Sequence, residues 1–494
     1  MERFSSHFGP PPTTLEGALA ENAALRLLVV KLEDHIERLE ARVEALERRV
    51  GQNSDNSSRP PSSDMRDTPR PPKKPPTGRK PGGQPGHEGH QRKLVPPERV
   101  DETQEVRPSK CENCRHPFGR DGIPVQVGDV FRHQVIEIPQ TRAHVTEFRL
   151  HTLWCAYCEH ATQAALPDGV PTSDFGPRLQ AFVAVCTGVF HLSKRSAVRL
   201  LGDLFGVDIS AGSVIACEQR TSTVLEAPVA EAHEFVQDQL VLNADETGWF
   251  EKAKRAWLWV AVTAYVTVFK IDARRGKAAG RRLLGRFAGI LGSDRWIAYA
   301  DHALHRRQLC WAHLRRHFAA FAEWKGEAAE LGGAALTVTD QMFQWWHRVR
   351  DGTMARTTFR RKMATFKVGF RGLLAEGAKC THPQVAATCR EILKMEPALW
   401  TFVRWTGVEP TNNAAERAIR PAVLLRKRSL GTQSDAGSRY VERMLTVAAT
   451  LRQQGRNVVD YVTEACERSL RGLRPRSLLP GGHVMRPHAS PLHA

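Results

Sequence analysis

Apolar residues recur with a seven-residue period between residues 15 and 50. The d positions of this repeat hold Leu25, Leu32, Leu39 and Leu46. The a positions hold Asn22, Val29, Ile36, Val43 and Val50. Leucine at d with β-branched residues at a favours a parallel two-stranded coiled coil, and a single Asn at a fixes its register. We therefore predict that residues 15–50 form a leucine-zipper-like homodimer. A single amphipathic helix packed on its own protein is the alternative.

The apolar period ends abruptly, and residues 51–98 are rich in Pro, Ser, Lys and Arg. Such a composition cannot bury a core, and Pro-rich spacing favours extended, solvated chain. We predict a disordered basic linker there. Its cations could neutralise DNA phosphates without reading sequence, although a plain solvated linker explains the same composition and both descriptions can hold together.

Two CxxC pairs fall within residues 99–170, at Cys111 and Cys114 and again at Cys155 and Cys158. Each pair places two thiolates on a tight knuckle, and two knuckles complete a tetrahedral Zn²⁺ site with no open position for chemistry. Strand-like alternation in VIEIP and HVTEFRLHTLW between the pairs predicts a β-hairpin that brings them together. We predict a structural zinc domain here, with unrelated buried cysteines as the alternative.

Residues 171–235 have helical periodicity. We predict one helix from about Pro177 to Phe190, a second capped by Ser193, and a third capped by Ser210 after a Gly-containing turn. Helix, short turn, helix is the outline of a DNA-binding helix-turn-helix, and a generic three-helix packing unit is equally compatible. The cations available to DNA phosphates on the second helix are Lys194, Arg195 and Arg199.

From Gln239 the pattern changes to strands: three apolar or alternating runs, a basic helix, and a fourth run that ends at Asp294. This order predicts a ribonuclease-H-like domain over residues 236–465. Asp245 and Asp294 are each expected to close a buried strand. Glu416 lies in a helical stretch that Asn412 and Asn413 could cap. Three converging carboxylates suit Mg²⁺ or Mn²⁺. The rival acids are Glu246, Asp301 and Glu409.

The long interval between Asp294 and Glu416 has helical periodicity, and we predict an all-helical insertion over about residues 313–405. Cys310 and His313 stand at its start in a Cys-x-x-His spacing. With two obvious ligands, packing and DNA contact are favoured there over a second zinc. A group of cations that could hold DNA follows Glu416: Arg417, Arg420, Arg426, Lys427 and Arg428. The Pro-, Gly- and His-rich tail 471–494 is predicted to be disordered.

Composition agrees with a nucleic-acid partner. The 494 residues carry a net charge of +18, and such an excess favours polyanion binding. No run of 18 apolar residues and no secretory signal is visible, so we expect no membrane partner. Ten cysteines, four of them in CxxC pairs, suggest metal binding in a reducing compartment. We expect a cytoplasmic, bacterial, nucleoid-associated protein of multidomain, mixed α+β and α/β class.

Several stretches taken together resemble the transposases of the insertion sequence sixty-six family, a branch of the DDE transposases. Besides the CxxC pairs they are NSSRPPSSD, RKPGGQPGH, ADETGWF, GSDRWIAY, LCWAHLRRHF and PTNNAAERAIRPAVLLRKRSLGTQSDAGSRYVERMLTV. The resemblance covers about residues 15–465. It implies that Asp245, Asp294 and Glu416 are the catalytic triad, with Asp245 shared by two Mg²⁺ or Mn²⁺ ions. It also implies cleavage and strand transfer at the terminal inverted repeats and into target DNA, often with small accessory proteins of the same element.

Two other functions remain open from the sequence. The first is a DNA-binding regulator without catalysis, built from the zipper, zinc and helical modules. The second is a metal-dependent endonuclease that cuts without strand transfer, since hydrolysis and transesterification use the same metal site.

Overall fold

The computed structural model describes residues 14–51, 94–118 and 128–482. Most of the predicted basic linker and the end of the predicted tail lie outside these residues. The prediction that the tail is disordered from residue 471 is wrong for residues 471–482, because Leu478 is fully buried in the main core and the Tyr461 hydroxyl donates to the Arg476 carbonyl at 2.6 Å. The chain divides into two compact units, one of residues 72–145 with 204–206 and the other of the remaining chain. Within the described residues, no helix combines the length and the apolar character that a membrane span requires.

The N-terminal helix α1 spans Leu15–Gly51, as the heptad pattern predicts. Its apolar residues are exposed: Leu32 and Ile36 are each 52% exposed, and Leu25 is 39% exposed. These side chains are therefore not buried against their own chain, which disfavours the single packed helix. The side chains of Leu46 and Val50 lie outside the description, and the dimer remains a prediction.

A short hairpin carries the second CxxC pair. It consists of β1 (Thr152–Cys155) and β2 (His160–Gln163), which are antiparallel and wholly exposed. The predicted strand at VIEIP is wrong, because residues 128–151 hold no strand. The apolar side chains in it have nothing to pack against, since Val135 is 79% exposed and Ile138 is 84% exposed. Alternation alone does not make a strand without a partner strand or a core.

Four helices follow. They are α2 (Pro177–Gly188), α3 (Lys194–Phe205), α4 (Ala211–Val224) and α5 (Glu226–Gln237). Both predicted caps form, because the hydroxyl oxygens of Ser193 and Ser210 accept the N–H groups of Ser196 and Ser213 at 3.1 and 3.0 Å. The helix α2 ends two residues earlier than expected, and its buried face packs on the C-terminal helices, where the Tyr440 hydroxyl donates to the Ala184 carbonyl at 2.8 Å.

A five-stranded mixed sheet forms the centre of the larger unit, in the order β5-β4-β3-β6-β7. The strands are β3 (Val241–Glu251), β4 (Lys254–Val262), β5 (Thr267–Asp272), β6 (Ile290–Ser293) and β7 (Arg307–Leu309). The first three form an antiparallel meander, while β6 and β7 run parallel to β3. With helix α6 (Lys277–Leu284) before β6, this arrangement is consistent with the predicted ribonuclease-H-like domain.

Two features of the sheet differ from the sequence prediction. Asp245 does not close its strand, because β3 continues beyond it in register with β4 as far as the pair Glu251 and Lys254. The fifth strand, β7, was not predicted. It is three residues long and begins with Arg307 and Gln308, both buried, so it carries no apolar signal.

The interval between β7 and Glu416 is helical. It contains α7 (Trp311–Ala322), α8 (Glu327–Arg350), α9 (Arg356–Gly377), α10 (Pro383–Lys394) and α11 (Thr401–Arg404). These helices bury a core of their own around Trp311. The Trp311 ring lies 5.0 Å from that of Phe370 and 5.4 Å from that of Trp400, centroid to centroid.

Three helices complete the chain: α12 (Asn413–Ser429), α13 (Asp435–Gln453) and α14 (Val458–Leu470). The helix α13 begins well before the predicted Val441, because the Ser434 hydroxyl caps it by accepting the Gly437 N–H at 3.0 Å. Its side chains cover the outer edge of β5. Thr450 and Thr446 accept the N–H groups of Thr267 and Phe269 at 3.1 and 3.0 Å, which closes an edge that would otherwise be free to pair with another chain.

Candidate active site

Asp245 and Asp294 lie side by side on neighbouring parallel strands. Asn243 pairs with Gly292, and each aspartate follows two residues later in the same direction. Asp294 is the first residue after β6, and its Oδ1 accepts the Trp296 N–H at 2.9 Å. Asp245 Oδ1 accepts the N–H of Glu246 at 2.9 Å. The register therefore brings the two acids together, even though one lies within a strand and the other beyond one.

Glu416 lies in the first turn of α12, beside this pair. The expectation that Asn412 caps the helix through its side chain is wrong, since that side chain makes no capping bond. Its Nδ2 instead donates to the Ala244 carbonyl at 3.3 Å. The start of α12 is thus held against β3 next to Asp245. The buried Asn412 side chain positions the helix instead of capping its first turn.

The pKa values show that these acids repel one another. Burial, followed by the charges of Glu246, Asp294 and Glu416, raises the pKa of Asp245 well above its usual range. Burial also raises the pKa of Asp294, although the Trp296 N–H and nearby guanidinium groups oppose it. Carboxylates whose ionised forms are destabilised by burial and by each other form a site that a cation would stabilise.

Each rival acid has protein partners of its own. Glu246 is buried, and its oxygens accept the Tyr299 hydroxyl at 2.7 Å and the Arg275 Nε–H at 3.1 Å. Burial, with repulsion from Asp294, raises the pKa of Glu246 to about 7. Asp301 pairs with Lys277 and an arginine at the surface, and Glu409 accepts the indole N–H of Trp346 at 2.9 Å.

Arg275 bonds to the rival acid Glu246 and also packs on two tryptophan rings. Its guanidinium lies 4.0 Å from the ring centroid of Trp296 and 4.6 Å from that of Trp257. The same Trp296 supplies the N–H that Asp294 accepts. Arg275 therefore packs the segment after β6 onto the sheet. Its cation–π contacts depend on distances across the fold, so no pattern in the sequence indicates this role.

Cys310 and His313 lie against Glu416. Cys310 directly follows β7, and its N–H donates to the Ser293 carbonyl at 2.9 Å. One ligand atom from each of Cys310, His313 and Glu416 lies within 4.8 Å of the other two. The sequence showed the Cys-x-x-His pair, but it could not show that the third ligand is the distant Glu416.

Comparison with known proteins gives the family. A family model described as Transposase IS66 family matches residues 172–440, which is more than half of the chain. This chain belongs to the IS66 transposase family. The match contains all three of Asp245, Asp294 and Glu416, together with Cys310 and His313. A second model, described as a family of unknown function, matches residues 9–93.

Two curated relatives come from Sinorhizobium fredii (strain NBRC 101917 / NGR234). The uncharacterized protein y4qI is 26% identical over an alignment of 251 residues, and the match covers 45% of this chain and 45% of the relative. The uncharacterized protein y4hP is 26% identical over an alignment of 373 residues, and the match covers 66% of this chain and 65% of the relative. The matched part thus spans about half to two thirds of the length of these relatives.

Cations surround the acid centre of this IS66-family chain. Arg316 Nη2 lies 3.5 Å from Glu416 Oε2, and Arg295, next to Asp294, donates to His317 Nε2 at 3.0 Å. The sequence prediction missed both, although Arg316 lies in the run HLRRHF, one turn after His313, and Arg295 directly follows Asp294. Four of the five predicted cations after Glu416 are exposed on α12: Arg417, Arg420, Lys427 and Arg428.

Arg426 does not belong to this exposed face. Its guanidinium turns inward, where it donates to the Thr247 hydroxyl at 3.1 Å and to the Gly248 carbonyl on β3. We correct its predicted role from DNA contact to packing, because those bonds hold it against the sheet. On the helical module, Arg195 and Arg199 are exposed on α3, whereas Lys194 pairs with the buried Glu218.

The two CxxC pairs share one local geometry. In each, the residue after the second cysteine has a positive φ, 64° at Arg115 and 53° at Glu159. In each, that residue's N–H donates at 2.9 Å to the carbonyl of the first cysteine. Backbone N–H groups within the knuckle lower the pKa of Cys111 and of Cys155, which favours the thiolate that zinc requires. The pairs lie in different units, so one shared zinc site remains a prediction.

Proposed function

We propose that this chain is a DNA transposase that binds the terminal inverted repeats of its element and carries out metal-dependent strand cleavage and strand transfer. Membership of the IS66 family supports the general function. The convergence of Asp245, Asp294 and Glu416 supports the chemistry, because three acids from separate elements meet near the carboxyl end of the inner strand β6.

The acids fit the divalent ions that the family implies. Mg²⁺ and Mn²⁺ prefer carboxylate oxygens, and the raised pKa values of Asp245 and Asp294 reflect ionised forms that bound cations would stabilise. Asp245 would be shared between two ions, with Asp294 and Glu416 each holding one. Two ions in such a site would activate the attacking oxygen and stabilise the leaving 3′-oxygen of the DNA strand.

The residues around the acids keep this donor set in place. Asn412 fixes the start of α12 against β3, and the Trp296 N–H orients the Asp294 carboxylate. The buried Arg307 donates to the Asp294 carbonyl at 2.9 Å. Each of these bonds fixes one acid relative to the sheet, which matters because misplacement of about 1 Å in a reacting geometry costs about a hundredfold in rate.

DNA binding is proposed for the exposed cations. Arg417, Arg420, Lys427 and Arg428 on α12 extend from the turn that carries Glu416, where they would hold the phosphates of the strand being cut. Arg195 and Arg199 lie one turn apart on α3, the first helix of the proposed helix-turn-helix. With the net charge of +18, these surfaces favour DNA as the substrate.

The remaining modules are assigned to assembly. The exposed heptad face of α1 would join two chains, so that two transposon ends are held together. Zn²⁺ at Cys111, Cys114, Cys155 and Cys158 would have a structural role. Small accessory proteins of the same element are proposed as further partners, and the bacterial nucleoid as the place of action.

The test is cleavage and joining of a labelled duplex that carries the element's own terminal repeat, in Mg²⁺, Mn²⁺ or chelator. We expect metal-dependent joined products that fall by about 10³-fold or more in Asp245→Asn. The matched control is Asp301→Asn, which removes the same charge from a surface ion pair near the site and should keep activity. Nicking without joining would support the endonuclease instead, and specific binding without any cut would support the regulator.

A further inference from the structure

A second set of ligand atoms shares Glu416 with the acid centre. It consists of one ligand atom each from Cys310, His313 and Glu416, which lie within 4.8 Å of one another. We propose that these three side chains bind a transition-metal ion of the Zn²⁺ class, and that the bound ion withdraws Glu416 from the Mg²⁺ centre. The site would thereby make the enzyme sensitive to zinc.

Two of the ligand atoms are buried without a hydrogen-bond partner. Neither His313 Nδ1 nor Glu416 Oε1 has one within the part of the chain that the structure describes. They are 3.6 Å apart, too far for a hydrogen bond between them. Buried polar atoms are nearly always satisfied, and an exception calls for an explanation such as a missing ion. An ion bound between these two atoms would satisfy both.

The surroundings favour the metal-binding form of His313, whereas burial raises the pKa of the Cys310 thiol to about 12, so its thiolate depends on the charge of the bound ion. Burial, together with the charge of Arg316, keeps His313 neutral by lowering its pKa to about 4, and the neutral imidazole is the metal-binding form. The Asn412 N–H lies 3.4 Å from Cys310 Sγ and donates to it, a contact that stabilises a metal-bound thiolate.

The donor set selects the class of ion. Thiolate and imidazole ligands suit Zn²⁺ and other transition metals, whereas Mg²⁺ takes hard oxygen ligands. Three protein ligands leave a fourth coordination position open for water, unlike the closed set of four in structural zinc sites. The ligands also have a rigid frame, because Cys310 donates to Ser293 at 2.9 Å and the Trp311 N–H donates to the Pro410 carbonyl at 2.9 Å.

The effect on activity follows from the two oxygens of Glu416. Oε1 lies 3.6 Å from His313 Nδ1, while Oε2 lies 3.5 Å from Arg316 Nη2. An ion held through Oε1 leaves Glu416 with an oxygen that is already engaged by a guanidinium. Zn²⁺ and Mg²⁺ then compete for one carboxylate. This competition rests on the proposed catalytic role of Glu416, but zinc binding itself does not.

The binding test uses full-length protein equilibrated with Zn²⁺ or Co²⁺, followed by metal analysis and, for Co²⁺, absorption spectra. We expect Cys310→Ser and His313→Ala each to lose one ion per chain relative to wild type. Cys310→Ser should also lose part of the thiolate-to-cobalt absorption. Cys389→Ser is the matched control, because Cys389 is another buried free thiol that belongs to no ligand cluster of the described residues. Equal metal content in wild type and Cys310→Ser would overturn the site.

The competition test measures Mg²⁺-dependent cleavage at rising Zn²⁺, with each variant compared to its own zinc-free activity. We expect Zn²⁺ to inhibit the wild type, and His313→Ala to need about tenfold more Zn²⁺ or higher for half inhibition. Unchanged zinc sensitivity in His313→Ala would overturn the competition. Loss of one ion in the variants, with no cleavage by any protein, would leave the zinc site in place and overturn the proposed function instead.

Discussion

The helical layer around Trp311 and the segment with the CxxC pairs are stabilised in different ways. Trp311 is fully buried, as are Phe318, Phe359 and Phe370 beside it. Within residues 94–118 and 128–168, by contrast, no residue is buried, and Trp154 is 65% exposed. Apolar burial of about 25 cal/mol per Å² can hold the first region together. The CxxC segment buries almost no apolar surface, so a different kind of interaction must stabilise its fold.

This difference suggests that the CxxC segment depends on a bound metal, as small domains without a core commonly do. The two knuckles already have matching turns at Arg115 and Glu159. The experiments below test whether one region depends on zinc and the other on its core.

The largest effect is expected from removal of zinc. Structural zinc binds with an apparent free energy of about 10–16 kcal/mol in small domains, so a chelator or Cys155→Ser should expose residues 94–168 to protease. Fragments identified by mass spectrometry should begin near Pro177, with the helical layer intact. Cys380→Ser, at a buried thiol of that layer, should leave the pattern unchanged. Equal protection with and without chelator would show that the CxxC segment does not need metal.

A smaller effect is expected from tryptophan truncation in the two regions. Trp311→Ala removes a fully buried ring whose Nε1–H donates to the Leu399 carbonyl at 3.0 Å, and it should lower the free energy of unfolding by about 3–5 kcal/mol. Trp154→Ala removes an exposed ring and should change it by no more than about 0.5 kcal/mol. Denaturant titration measures both variants. Similar losses would mean that Trp154 is covered in solution.

The smallest effect concerns pH. Burial raises the pKa of Glu442 to about 7, although Arg439 opposes it. Between pH 4.5 and 7 the unfolded chain has lost a proton that the folded chain keeps, so stability should fall as pH rises. The shift corresponds to about 3 kcal/mol at most, and Glu246 contributes in the same direction.

This pH effect can be measured by urea denaturation from pH 5 to 8 in metal-free buffer. Glu442→Gln should reduce the fall, and the control Glu376→Gln, at an exposed position, should not. The CxxC segment contains no buried carboxylate within its described residues, so with zinc present its protection from protease should not fall as pH rises, because thiolates bind metal better at higher pH. A stability that rises over this range would contradict the assignment.

The sequence predicted the parts of the fold that carry strong local signals. The heptads of α1, the serine caps at Ser193 and Ser210, and the strand before Asp294 all appear where the pattern placed them. The short strand β7 was missed because buried Arg307 and Gln308 give no apolar signal. The strand at VIEIP was predicted wrongly because alternation does not reveal whether a partner strand exists.

The candidate site shows the same limit. The residue types of Asp245, Asp294 and Glu416 could be selected from strand and helix patterns. The contact of Glu416 with Cys310 and His313 could not, since it depends on how a distant helix begins. Arg426 was assigned to the DNA surface because a run of cations does not show which of its members turns inward.

The strand β3 is bound to α12 near both ends of that helix. Asn412 bonds to Ala244 before the helix, and after it Thr432 exchanges backbone hydrogen bonds at 2.9 Å with Lys252 and Phe250. The separation of Asp245 and Glu416 is therefore set by a strand and a helix fixed to each other, independently of the chain between them. Evolution could lengthen or shorten the exposed turn at residues 351–353, between α8 and α9, without moving the acids. The same property makes that turn a suitable place to insert a foreign domain or a fluorescent reporter.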